Sequence, residues 1–127
     1  MNALREKSIE KALFISPVVN MEVLILRMMS WANVSEEELQ QKGEIPTSFG
    51  ETLSWQYLCY ARQNPIRWKT KTAILYGEQD HLVERPIVER FAREIDAPLT
   101  VMPKGEHWFH TEEQMRFLDD WFCKNTR

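Results

Sequence analysis

Thr72-Ala73-Ile74-Leu75-Tyr76-Gly77-Glu78-Gln79-Asp80 is the stretch on which the fold turns. A short, almost wholly apolar run is stopped by Gly77, and a polar loop follows. Such a run, closed by a turn residue, reads as a strand buried on both faces, the kind that parallel sheets use. Two other stretches have the same form. Upstream, Ala12-Leu13-Phe14-Ile15 runs into Ser16-Pro17, and Pro17, lacking an N–H, ends the ladder there. Downstream, the run from Pro98 to Met102 is broken by Pro103-Lys104-Gly105.

Helical patterns alternate with the later strands. Pro86 suits the first turn of a helix running to about Ile95, with Ile87, Val88, Phe91 and Ile95 as its apolar stripe. Asp96-Ala97 is the turn after it. Thr111-Glu112-Glu113-Gln114 has the form of a capping box, and the helix behind it carries Met115, Leu118, Trp121 and Phe122 on one face. Strand, helix, strand, helix implies parallel strands with right-handed crossovers, the α/β class.

The block 21–65 is different in kind. Residues 22–31 have the length of a helix and are nearly continuously apolar. Ser35-Glu36-Glu37-Glu38 forms a second capping box and opens a short helix to about Gln41. Residues 43–50 read as a loop containing Pro46. Residues 51–63 read as an amphipathic helix with Leu53, Tyr57, Leu58 and Ala61 on one face, ended by Asn64-Pro65. The expected organisation is a first strand region over 1–20, a helical insert over 21–65 resembling a lid, and a C-terminal α/β core over 66–127. In the insert, Met28, Met29 and Trp31 read as lid packing or as the wall of an apolar pocket.

Composition narrows the function classes. The chain has 127 residues, 43% of them hydrophobic and 28% charged, which suits one small globular domain or part of a larger one. Its net charge of −3, with Lys and Arg scattered, argues against a nucleic-acid binder. The first eleven residues are polar and charged, unlike a signal peptide. The longest apolar stretch, 23–31, is interrupted by Arg27 and is too short to span a bilayer. Cys59 and Cys123 form no CxxC and no metal-ligand spacing, so free thiols are expected. A soluble cytoplasmic protein is the expectation.

In parallel α/β sheets ligands bind at the carboxyl ends of the strands. Two loops lie at such ends: Tyr76-Gly77-Glu78-Gln79-Asp80-His81-Leu82-Val83 and Lys104-Gly105-Glu106-His107-Trp108-Phe109-His110. A strand ending in Tyr-Gly-x-x-Asp-x-x-Val, then a helix, a strand and a Gly-x-His turn, resembles the second half of the α/β-hydrolase superfamily. The resemblance runs from about Ser8 to Phe122. It implies three parallel strands from one edge of a larger sheet, flanking helices and a cap insert, an incomplete α/β fold. It also implies that Asp80 and His107 are the acid and base of a catalytic triad, with no metal and no organic cofactor. A serine hydroxyl needs a base to take its proton; His does so near neutral pH, and a carboxylate on its other ring nitrogen fixes the tautomer.

The chain departs from that family at the nucleophile. The family's Gly-x-Ser-x-Gly elbow is absent: Gly43, Gly50, Gly77 and Gly105 bracket no serine at the needed spacing. Ser16, Ser48 and Ser54 are not candidates. In the family the elbow precedes the strand matched by 12–15. The expectation is therefore a C-terminal fragment of a serine hydrolase of the esterase or lipase kind, inactive alone. Its apolar first strand would have an open edge, filled by a missing N-terminal half or by self-association. The intact enzyme would take a small acyl substrate. Two alternatives stay open: a non-catalytic hydrolase-like binding module, and a dehalogenase or C–C hydrolase on the same scaffold.

Each candidate has a plainer reading. Asp80 alone is a turn residue, and His107 alone a surface histidine before a helix. His110 rivals His107 but adjoins the cap Thr111. His81 reads as solvent-exposed or substrate-facing. A metal site from Asp80, His81, His107 and His110 matches no ligand spacing. Trp108 and Phe109 are expected to pack the loop.

Overall fold

The computed structural model describes all residues, 1–127. After a 3-10 turn at Asn2–Leu4 come β1 (Ala12–Ile15), α1 (Met21–Trp31), α2 (Glu36–Lys42), β2 (Glu44–Pro46), β3 (Thr52–Ser54) and α3 (Trp55–Gln63). Then follow β4 (Thr72–Gly77), α4 (Arg85–Glu94), β5 (Leu99–Met102) and α5 (Glu112–Thr126). The chain divides into two compact units, one of Met1–Val19 with Arg67–Arg127 and the other of Asn20–Ile66.

The first unit is an α/β layer. Its three-stranded sheet has the order β1-β4-β5, and both pairings are parallel. Central β4 is buried at every residue, as a strand covered on both faces must be. Ala73 and Leu75 face one side and join Met102, Phe109 and Trp121, with Leu13, Phe117 and Leu118 packed against them. Ile74 and Tyr76 alternate to the other side. On α4, Val88, Phe91 and Ala92 are buried. Pro86 sits in the first turn of α4, where its missing N–H costs nothing. Asp96 takes φ 53°, a left-handed turn that Asp tolerates better than most residues.

Two expectations for this unit change. β1 was expected to be buried on both faces, but its residues are half-buried and Ile15 is 41% exposed. The reason is its position: β1 hydrogen-bonds to β4 alone, so one edge is open. The buried face of α5 is also rotated from its apolar stripe. Gln114 and Trp121 are buried, with Phe117 and Leu118 beside the core, whereas Met115 and Phe122 are exposed. Residues 114, 117, 118 and 121 keep helical spacing, but the first of them is polar.

The second unit is built by α1, α2, α3 and a hairpin. Ile25, Met29, Leu39, Leu53 and Leu58 form its core. Met29 is therefore a packing residue, while Trp31 is exposed and meets Phe49 edge-on at 5.9 Å. Ser35 caps α2 by accepting the Glu38 N–H, yet the Glu38 carboxylate turns to Lys42 and not back to the cap. The Arg62 guanidinium joins Glu22 at 3.1 Å and Glu36 at 2.5 Å, tying α3 to α1 and α2. The loop expected over 43–50 instead holds β2, which pairs antiparallel with β3. The helix expected from 51 starts later, at Trp55, because Thr52 and Leu53 enter that ladder and Ser54 caps α3 through the Tyr57 N–H. Tyr57, expected on the apolar face, is exposed.

Candidate functional site

At the carboxyl ends of β4 and β5, Gly77 stands opposite Met102 in the parallel register. The loops leaving these two positions are fastened to each other by backbone. The Glu78 N–H donates to the Met102 carbonyl at 3.0 Å, and the Gln79 N–H to the Gly105 carbonyl at 2.7 Å. The Glu78 carboxylate accepts the Lys104 N–H at 2.9 Å. Glycine is required at this crossing for space. A Cβ on Gly77 would lie 2.5 Å from the Glu106 carbonyl oxygen and 2.6 Å from the Gly105 carbonyl. A Cβ on Gly105 would meet Gly77 Cα at 3.1 Å.

The crossing brings Asp80 and His107, 27 residues apart in sequence, into contact: Asp80 Oδ2 is 2.6 Å from His107 Nδ1. The Asp80 side chain is 0% exposed and that of His107 30%. A carboxylate removed from water must be satisfied by hydrogen bonds. Asp80 Oδ1 accepts the N–H groups of Leu82 at 2.9 Å and Val83 at 3.0 Å, leaving Oδ2 for the imidazole. An ionised carboxylate only accepts, so Nδ1 carries the proton and donates it, and Nε2 is left with a free lone pair. Chemically the pair is a base whose tautomer and ring direction are fixed from behind.

The loop around Asp80 is closed by a residue whose hydroxyl the sequence pattern left without a role. Tyr76, buried in β4, donates its hydroxyl to the Val83 carbonyl at 2.7 Å. Burial pushes that hydroxyl up to about 12, and the nearby Asp80 charge adds to the effect. Tyr76 was legible as strand filling and as the first residue of the Tyr-Gly-x-x-Asp-x-x-Val pattern; its polar end holds the loop through Val83.

The other candidates fall elsewhere. His110 Nδ1 bonds the Trp108 carbonyl at 2.7 Å and lies 3.5 Å from Glu106 Oε2, bracing its own loop. His81 is exposed. No group of three or more His, Cys, Asp or Glu is arranged to hold a metal ion. Both aromatics beside His107 were expected to pack the loop; Phe109 packs into the core of the sheet, and Trp108 is 78% exposed and packs little. Ser16 is buried at the end of β1 with φ 48° and an unpaired hydroxyl. Ser48 is exposed and Ser54 is the cap of α3. Cys59 and Cys123 are free thiols. No helix is long and apolar enough to cross a membrane.

No family model and no curated protein sequence matches this chain. Solved structures do. The chain is similar to Est1E from Butyrivibrio proteoclasticus, solved with ferulic acid bound, at 18% identity and a TM-score of 0.68, over 97% of this chain and 52% of that one. It is similar to the esterase Pf2001 of Pyrococcus furiosus at 18% identity and a TM-score of 0.52, over 96% of this chain and 44% of that one. These neighbours are esterases and hydrolases of the α/β-hydrolase fold, and the chain spans about half their length. With its three parallel strands and flanking helices, this chain has the α/β-hydrolase fold over that half.

Proposed function

We propose that the chain is the acid-and-base portion of a serine-type ester hydrolase. The observation that carries this reading is the 2.6 Å contact between a fully desolvated Asp80 carboxylate and Nδ1 of a part-exposed His107. In the proposed reaction, His107 Nε2 takes the proton of a serine hydroxyl as the oxygen attacks an ester carbonyl. His107 then returns that proton to the leaving alkoxide, and Asp80 stabilises the transient imidazolium. General-base help of this kind is worth roughly 10²–10⁴-fold in rate.

The nucleophile in this reading comes from a segment that pairs with the open edge of β1, namely an N-terminal half with a strand–serine–helix elbow. The chain alone then hydrolyses nothing by this route. A small acyl ester is the proposed substrate class, in keeping with the esterases that share the fold.

The test is to co-express the chain with the coding sequence immediately upstream and assay p-nitrophenyl ester hydrolysis. Activity is expected from the pair and not from the chain alone. His107→Ala is expected to lower kcat by about 10³-fold or more, with the complex still formed. Undiminished turnover in that variant overturns the assignment, as does an upstream sequence with no elbow serine.

A further inference from the structure

Gln114 is out of character with its place. It is 5% exposed, on the side of α5 otherwise occupied by Phe117, Leu118 and Trp121. Burying an amide there costs stability unless both of its ends are paired. Both are. Its Oε1 accepts the His110 N–H at 3.1 Å, and its Nε2 donates to Glu106 Oε2 at 2.9 Å. The amide has one workable orientation. Turned over, it would set NH2 against N–H and carbonyl oxygen against carboxylate.

The two partners lie on either side of His107 in the chain. A capping box would send this side chain back to the Thr111 N–H. Thr111 does cap α5 through the Gln114 N–H at 3.2 Å, but the glutamine reaches one residue further, to the loop. With Gly105 held by Gln79 and Phe109 in the core, the span 105–110 is fixed from both sides. Catalytic groups need placement within about 0.5 Å, which calls for a loop held at both ends.

We propose that Gln114 is the positioning residue of His107: its amide sets the loop so that Nδ1 meets Asp80. This deepens the reading of His107 as the proton carrier and rests on it, but its test reads the ring and not turnover. The 127-residue chain is followed by proton NMR, using the low-field Nδ1–H signal that His107→Ala removes. Gln114→Glu places two carboxylates face to face. Adding Glu106→Gln restores one donor and one acceptor with the roles exchanged.

Solvent exchange of the ring proton is expected to rise about tenfold or more in Gln114→Ala and Gln114→Glu, the size a lost hydrogen bond to a charged group implies. In the Gln114→Glu/Glu106→Gln pair it returns to the native rate, while the β4 amides stay protected throughout. If Gln114→Ala fails to fold, the exchanged pair still decides. Unchanged ring exchange in Gln114→Glu, no recovery in the pair, or β4 amides that accelerate in step with the ring each overturn the proposal. A missing low-field proton in the unsubstituted chain while its β4 amides are protected instead overturns the Asp80–His107 pairing, and so the proposed function itself.

Discussion

Gly77 and Gly50 belong to different units and are glycine for opposite reasons. Around Gly77 the backbone of the neighbouring loop fills the space where a side chain would begin. Around Gly50 nothing lies within 4 Å, and the requirement is its φ of 87°. The contrast extends beyond glycine. In the α/β unit the two strand-end loops cross main chain against main chain, at spacings that leave no room for a side chain. The helical unit is held by side chains: the cluster of Ile25, Met29, Leu39, Leu53 and Leu58, and the Arg62 ion pairs. Strand ends fix positions to fractions of an ångström, whereas side-chain packing fixes composition and volume and forgives the rest.

The largest effect that separates the two is expected at Gly77. Gly77→Ala forces backbone apart and should cost about 3 kcal/mol, the upper end for overpacking, read as a lowered urea midpoint. The same loss should broaden the His107 ring signal. Gly50→Ala meets only conformational strain and should cost about 1–2 kcal/mol without touching that signal. Equal costs at the two positions would erase the distinction.

Tyr76→Phe is expected to cost about 1 kcal/mol for the lost bond to Val83. It also carries a pH signature. Burial raises the Tyr76 hydroxyl from 10.0 to about 12, so the stability it contributes is whole below pH 10 and lost as pH rises through 12. The wild type should therefore weaken in that window more steeply than Tyr76→Phe in a thermal-melt series.

Arg62→Ala should have the smallest effect. Hydrogen bonds that it donates to Glu36 and Glu22 hold the guanidinium above its ordinary range and Glu36 below its own, yet all three groups face solvent. A small drop in melting temperature that vanishes in molar salt is expected. A large, salt-insensitive drop would place electrostatics, and not the apolar cluster, at the centre of that unit.

What the sequence made legible follows from signal length. The β4 run ending at Gly77, the Pro86 start of α4 and the Thr111 cap each combine an apolar pattern with a boundary residue, so both ends of an element could be read. β2 and β3 have three residues each, too few for alternation to register, and Pro46 reads as a loop signal although it closes a short ladder. The meeting of Asp80 and His107 could be anticipated because their loops follow readable strands and match the pattern of a known family. The burial of Gln114 was not legible because an apolar stripe rejects glutamine by type; the one clue is that 117, 118 and 121 continue a helical phase that begins on it. Trp108 was misplaced because local sequence cannot say which of two adjacent aromatics turns inward.

Phe109 sits two residues from His107 and belongs to the same core as Leu75 and Trp121. Freeing the loop backbone that carries the imidazole therefore means withdrawing an aromatic ring from the centre of the sheet's packing. Opening of that loop and loss of the Asp80–His107 contact are then expected as one event. On a heating ramp the contact between positions 80 and 107 should vanish with the fold and not before it.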